Sequence, residues 1–283
     1  MHYQTIVPAD VLQDHLEDPE WVIIDCQFSL EDSGEGERAY LETHIPGATY
    51  ANLDDQLSGP IIPGKTSRHP LPDVERLTKT LSRWGIDDKV QVVGYDDRGG
   101  AIAARLWWML RWLGHNQVAV LDGGWSNWVS SAKPISNEVD NRQARTFVPR
   151  IRSDLLITVE EVIQKLEKGG IRLLDSRTPE RYRGEEEPYD PIAGHIPGAI
   201  CCPFALNLDD EGYFLPVDKL RARFESVLGG DPPDSAVFYC GSGVTGAHNV
   251  LAYLHAGLGE SKLYAGSWSE WITDAQRPTF PKR

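Results

Sequence analysis

Long apolar runs are missing from this chain. The nearest to one, "AIAARLWWMLRWLG", is broken by Arg105 and Arg111, so no membrane-spanning helix is expected. The N-terminus, "MHYQTIVPADVLQDHLEDPE", has neither the basic nor the apolar region of a signal peptide. Cysteine is scarce: Cys26, Cys201, Cys202 and Cys240 show no CxxC spacing. That pattern suggests neither a zinc site nor a disulfide framework, and no metal or other cofactor is expected. Positive charge is short as well, with 28 Lys and Arg against 42 Asp and Glu, a net charge of −14. Such a balance argues against a nucleic-acid or anionic-membrane partner. These absences together describe a reduced, cytoplasmic protein in which any anionic ligand needs a local cationic pocket.

What is present is written twice. "ADVLQDHLEDPEWVIIDC" at 9–26 parallels "EEVIQKLEKGGIRLLDS" at 160–176, and "HIPGA" recurs unchanged at 44–48 and 195–199. "VVGYDD" at 92–97 parallels "AVFYCG" at 236–241, which sets Asp96 opposite Cys240, and "GGWSNW" at 123–128 parallels "GSWSEW" at 266–271. Matched blocks in one order mark a duplicated domain. Short apolar runs such as "WVIID", "VQVVGY" and "VAVL" read as buried strands of a parallel sheet. Ile102, Leu106, Leu110 and Leu113 follow a helical period closed by Gly114, and Val244, Ala247, Val250, Leu251, Leu254 and Leu258 follow another. Thr158 and Glu161 have capping-box spacing. The expected fold is α/β, two tandem domains of parallel sheet and flanking helices. We expect a first domain over 1–132, a linker over 133–150 without apolar periodicity, and a second domain over 151–283.

The stretch "FYCGSGVTGAHN" puts Cys240 where a strand gives way to a helix, the end of an α/β sheet at which ligands bind. A helix N-terminus favours thiolate over thiol. Gly241, Gly243 and Gly246 let successive amides curl toward the sulfur, with Ser242 and Thr245 adding hydroxyls. The expectation is an anionic thiol on an exposed turn, open to solvent. The other three cysteines, in or at the end of apolar runs, are expected to be simply buried. His44 and His195, in the "HIPGA" turns, are expected to support the backbone, and Trp125, Trp128, Trp268 and Trp271 to be packing residues.

"CGSGVT", the paired "HIPGA" blocks and the "GGW"/"GSW" ends resemble the two-domain rhodanese family of sulfurtransferases over essentially the whole chain. In that family only the C-terminal domain is catalytic, and its cysteine carries a persulfide between donor and acceptor; Asp96 in the first copy agrees with that asymmetry. The loop is similar to that of the 3-mercaptopyruvate branch, whereas the thiosulfate branch carries an Arg-Lys pair just after the cysteine. The resemblance implies transfer of sulfane sulfur from 3-mercaptopyruvate to a thiol such as thioredoxin, or to cyanide, through Cys240, with release of pyruvate. It implies a loop of Gly241, Ser242, Gly243, Val244 and Thr245 around the substrate. It also implies Arg181 in "RYRG" as the carboxylate anchor, against the plain alternative of an ion pair with Glu180 or Glu185. The family's second arginine, in a "PEPR" stretch, is replaced here by "EEEPYD". "ANLDDQLSG" and "SRHPLP" resemble the segments that supply an Asp and a His, so Ser242, His69 and Asp54 form the implied relay across the domain interface, with Asp55 as the alternative aspartate.

Other functions fit less well. Thiosulfate is an alternative donor for the same cysteine. A cysteine phosphatase of this fold needs an arginine at the sixth position after the nucleophile, where this chain has Gly246. A non-catalytic sulfur carrier or regulatory module is compatible with the acidic surface and the duplication, but an intact cysteine cradle speaks against a dead site.

Overall fold

The computed structural model describes residues 2–139 and 142–281. Met1, Asp140 and Asn141 of the expected linker, and Lys282 and Arg283 lie outside the described residues. The backbone divides into two compact units. One comprises Met1–Gly59, Leu71–Arg152 and Asp209–Phe214; the other comprises Pro60–Pro70, Ser153–Leu208 and Leu215–Arg283. Residues 60–70, which the sequence reading assigned to the first domain, thus pack with the second unit.

In the first unit, strands β1 (Ile6–Val7), β2 (Trp21–Asp25), β3 (Ala48–Tyr50), β4 (Gln91–Tyr95) and β5 (Val118–Leu121) form a wholly parallel sheet in the order β1-β5-β4-β2-β3. Every residue of β2, β4 and β5 is buried, as the unbroken apolar runs require of strands covered on both faces. Helices α1 (Ala9–Asp14), α2 (Glu35–Glu42), α3 (Val74–Arg83), α4 (Ala103–Trp112) and α5 (Gly124–Ser130) connect and flank them. Asp73 caps α3, its carboxylate accepting from the amides of Glu75 and Arg76. Gly114, at φ +87°, ends α4 where a Cβ would lie 2.6 Å from the Arg150 carbonyl oxygen, so only glycine fits.

The second unit repeats the plan. Strands β6 (Arg172–Asp175), β7 (Ile200–Cys201), β8 (Ala236–Tyr239) and β9 (Lys262–Leu263) are parallel in the order β7-β6-β8-β9. A parallel bridge from Leu156 to Leu263 stands where β1 stands in the first copy. Helices α6 (Val159–Lys168), α7 (Pro179–Arg183), α8 (Val217–Leu228), α9 (Thr245–His255) and α10 (Ser267–Trp271) follow in the corresponding places. The capping box at Thr158 and Glu161 is formed in both directions.

The duplication reaches individual hydrogen bonds. His44 Nδ1 donates to the Tyr40 carbonyl and His195 Nδ1 to the Tyr182 carbonyl, both at 2.6 Å. Each imidazole stacks on the tyrosine whose carbonyl it meets. The hydroxyls of Tyr95 and Tyr239 accept the amides of Ile45 and Ile196 in turn. Trp128, Trp268 and Trp271 are buried in the two cores, and Trp125 packs partly buried against the first. Their fold-holding role follows from the donors: Trp128, Trp268 and Trp271 each give the indole N–H to a backbone carbonyl. Among the described residues no helix is long and apolar enough to cross a membrane.

Candidate active site

The carboxyl end of β8 delivers Cys240, and the turn after it wraps the sulfur. The Gly243 amide donates to Cys240 Sγ at 3.1 Å. Burial alone would push this thiol up, but the Thr245 hydroxyl and the amides of Ser242, Gly246 and Gly243 outweigh it and hold the thiol below its ordinary value. Gly243 makes the curl possible: it sits at φ +81°, and a Cβ there would lie 2.2 Å from the Ala265 carbonyl oxygen. Val244 is buried and leads into α9 as its N-cap.

The expectation of an exposed, solvent-open turn is corrected. Cys240 is only 2% exposed. The start of α10 lies against the loop: the Ser267 hydroxyl accepts the Cys240 amide at 3.1 Å, and the amides of Trp268 and Ser269 donate to the carbonyls of Cys240 and Gly241. Ser267 does this at φ +56°, a left-handed conformation that costs a non-glycine residue energy. "GSW" is therefore part of the cradle as well as of the core, which the sequence reading missed.

The other cysteines differ from Cys240 in chemistry. Cys26 and Cys202 are buried, and burial pushes both thiols up. Cys201 is half-buried rather than buried, and desolvation with the nearby Asp175 pushes it up to about 11. All four are free thiols. Only Cys240 is shifted toward the thiolate.

His69 reaches the loop. Its Nδ1 lies 2.7 Å from the Ser242 hydroxyl oxygen, and both side chains are almost wholly buried. Asp54 is exposed in the first unit, on the turn where Asn52 Oδ1 accepts its amide. The alternative, Asp55, directs its carboxylate to Arg76 in an exposed ion pair.

Arg181 points at the loop, and the alternative of an ion pair with Glu180 or Glu185 does not form. Arg183 takes Glu180 and Glu185; Arg181 instead meets Glu187 at 2.6 Å and Asp190 at 3.4 Å. An Nη of Arg181 stands 3.2 Å from where a Cβ of Gly241 would be, and one of Arg68 stands at 2.9 Å. Arg68 was not singled out in the sequence, although it stands beside His69 in "SRHPLP"; its amide is tied to Ser269 Oγ. Arg177 is buried in an ion pair with Asp175 at 2.7 Å, with Glu187 on its other side. Among the described residues no group of three or more His, Cys, Asp or Glu is placed to hold a metal ion.

In the first copy the same turn follows β4, and Asp96 occupies it. The Asp96 carboxylate accepts the amides of Arg98, Gly100, Ile102 and Ala103 at 2.7–2.8 Å. Both turns aim backbone amides inward; the first is filled by the Asp96 carboxyl, which burial pushes up despite those amides, and the second holds a sulfur that its donors push down.

Comparison with known proteins agrees with this geometry. The rhodanese-like domain family matches residues 8–131 and 158–274. A Pseudomonas aeruginosa protein named a probable 3-mercaptopyruvate sulfurtransferase is 46% identical over 96% of this chain and 96% of its own. A Mycobacterium tuberculosis protein provisionally named a thiosulfate sulfurtransferase is 42% identical over 90% of this chain and 89% of its own. The crystal structure of the Escherichia coli 3-mercaptopyruvate sulfotransferase SseA superposes with a TM-score of 0.80 at 30% identity, covering 95% of this chain and 100% of that one. The chain belongs to the rhodanese family, as two rhodanese-like domains in tandem.

Proposed function

We propose that this protein is a sulfurtransferase that moves sulfane sulfur from 3-mercaptopyruvate to a thiol or cyanide through a persulfide on Cys240. The observation that carries the reading is the cradle of amides and the Thr245 hydroxyl that favours an anionic sulfur at Cys240. The thiolate attacks the donor sulfur; the S–S bond forms as the donor C–S bond breaks, and the bonding pair leaves on carbon as the enolate of pyruvate. That carbon takes a proton, and Ser242 with His69 at 2.7 Å is the pair to deliver it, with Asp54 proposed as the third member. The product is Cys240–S–SH and pyruvate. An acceptor thiolate or cyanide then attacks the outer sulfur and returns the Cys240 thiolate, which the same amides stabilise as the leaving group. Gly241, Gly243, Val244 and Thr245 shape the loop, and Arg181 anchors the donor carboxylate.

Thioredoxin-like dithiols are the acceptor class we favour, in a reducing cytoplasmic setting in keeping with four free cysteines. Thiosulfate as donor is the second reading, favoured by the name of the 42%-identical relative. To test the reading, wild type and Cys240→Ser are incubated with each donor and weighed. A gain of about 32 Da on Cys240, with stoichiometric pyruvate from 3-mercaptopyruvate, is expected for wild type alone. Loading of the serine variant, or of neither protein, would remove the mechanism; loading by thiosulfate alone would replace the donor.

A further inference from the structure

The wall of the loop beside Gly241 is built of charge. Asp190 stands between the two guanidiniums that face the glycine: Oδ1 accepts from Arg68 Nε at 2.8 Å, and Oδ2 from Arg68 Nη2 at 3.3 Å and Arg181 Nη2 at 3.4 Å. Its side chain is 1% exposed. The Tyr189 ring faces both arginines, 5.5 Å from Arg68 and 5.1 Å from Arg181. Glu187 accepts from Arg181 Nε and Nη2 and from Arg177 Nη1, Asp175 holds the other edge of Arg177, and Arg181 Nη1 stands 3.5 Å from where a Cβ of Gly241 would be. The guanidiniums of Arg68, Arg177 and Arg181 are therefore matched one for one by the carboxylates of Asp175, Glu187 and Asp190.

A pocket built only to draw in anions would leave its guanidiniums unmatched. Buried carboxylates beside them lose hydration and cancel much of the attraction. Placed here they act against one class of ligand. A keto acid brings one negative charge beside the Cys240 thiolate, and its flat carboxylate suits two guanidinium edges set side by side. Thiosulfate brings two, and in a charge-matched pocket, where no added negative charge has a full counterpart, the carboxylates repel the dianion about twice as strongly as the monoanion. Discrimination by a repulsive element against the wrong ligand is a general device.

We propose that Asp190 sets donor selectivity: it yokes Arg68 and Arg181 into a two-armed clamp beside Gly241 for a single carboxylate, and its charge disfavours dianionic donors. Arg68 is the second anchor, reaching the site from residues 60–70. Asp190 is a positioning residue, since it acts through the arginines. This inference rests on the sulfurtransferase reading, and the wild-type arm of the test examines that reading separately.

The experiment measures kcat/KM for 3-mercaptopyruvate and for thiosulfate in wild type, Asp190→Asn and Arg68→Gln, with thermal melting and the Cys240 mass shift for each. Removing one buried negative charge is expected to raise the thiosulfate-to-mercaptopyruvate ratio of kcat/KM by about ten-fold or more, since a dianion gains roughly twice the Coulomb energy of a monoanion. Arg68→Gln is expected to raise the KM for mercaptopyruvate by about ten-fold, more than it lowers kcat, as loss of a charge-assisted hydrogen bond to a bound group does. A folded Asp190→Asn with an unchanged or lowered ratio overturns the proposal. If that variant does not fold, Arg68→Gln decides: an unchanged KM for mercaptopyruvate overturns the proposal, and a raised one sustains it. Wild type that neither donor loads removes the sulfurtransferase reading, and this inference with it.

Discussion

Each residue of the Cys240 turn is explained by what surrounds one sulfur atom. A buried thiol is ordinarily pushed toward its neutral form, as Cys26 and Cys202 are. Cys240 moves the other way because a hydroxyl and several amides aim at it, a set of donors with no charge of its own to be neutralised. In the proposed mechanism His69, 2.7 Å from the Ser242 hydroxyl, adds proton transfer to this electrostatic cradle. Replacing it with alanine is expected to lower kcat by about 10²-fold or more. The alkylation rate of Cys240 should hardly change, because the amides stay in place. Steady-state turnover beside iodoacetamide labelling checks this, and a kcat within about two-fold of wild type would place the proton source elsewhere.

At the scale of elements, the two copies solve one problem differently. The strand-end aspartates Asp25 and Asp175 are both fully buried. Asp175 has Arg177 two residues on; Asp25 has Gln27, whose amide donates at 3.0 Å, and the Tyr95 hydroxyl at 2.6 Å. Without a cation, burial pushes the Asp25 carboxyl up to about 6. A carboxyl raised in the fold contributes most to stability while protonated, so its contribution falls as pH rises from about 4 to about 6. Arg177→Gln would give the second copy the same problem. It is expected to cost about 3 kcal/mol at pH 7, the penalty of stranding one member of a buried pair. The loss should shrink as pH falls from 6 toward 4. Urea unfolding at several pH values checks both; a loss below about 1 kcal/mol, or one independent of pH, would contradict the account.

For the molecule as a whole, the sequence displayed what is local and repeated. The strands, the capping box at Thr158, the glycine that ends α4 and the alignment of Asp96 with Cys240 all follow from residues near one another in the chain. What stayed hidden was made by contacts distant in sequence. Arg68 lies far from Gly241 in the chain, and nothing in "SRHPLP" states that residues 60–70 pack with the second unit. Glu187 and Asp190 lie in "EEEPYD", which the sequence marks only as a departure from the family's arginine stretch; their burial beside three arginines comes from the fold. The cysteine turn looked exposed because glycine-rich turns usually are; the covering by Ser267, Trp268 and Ser269 is supplied by a segment from the far end of the domain. In the first copy the corresponding turn carries the Asp96 carboxyl, so of the two turns only the second presents a sulfur.

That the loop holds an anionic sulfur at Cys240 is the claim on which the rest stands, and its pH titration tests it most directly. The rate of Cys240 alkylation, followed peptide by peptide across pH 4 to 10 in wild type and Thr245→Val, reports the thiolate fraction. The expected midpoint lies below the value of about 8.5 for a free cysteine and moves upward in Thr245→Val, where one donor to the sulfur is lost. A wild-type midpoint at or above that of a free cysteine, unmoved by the substitution, would contradict the account.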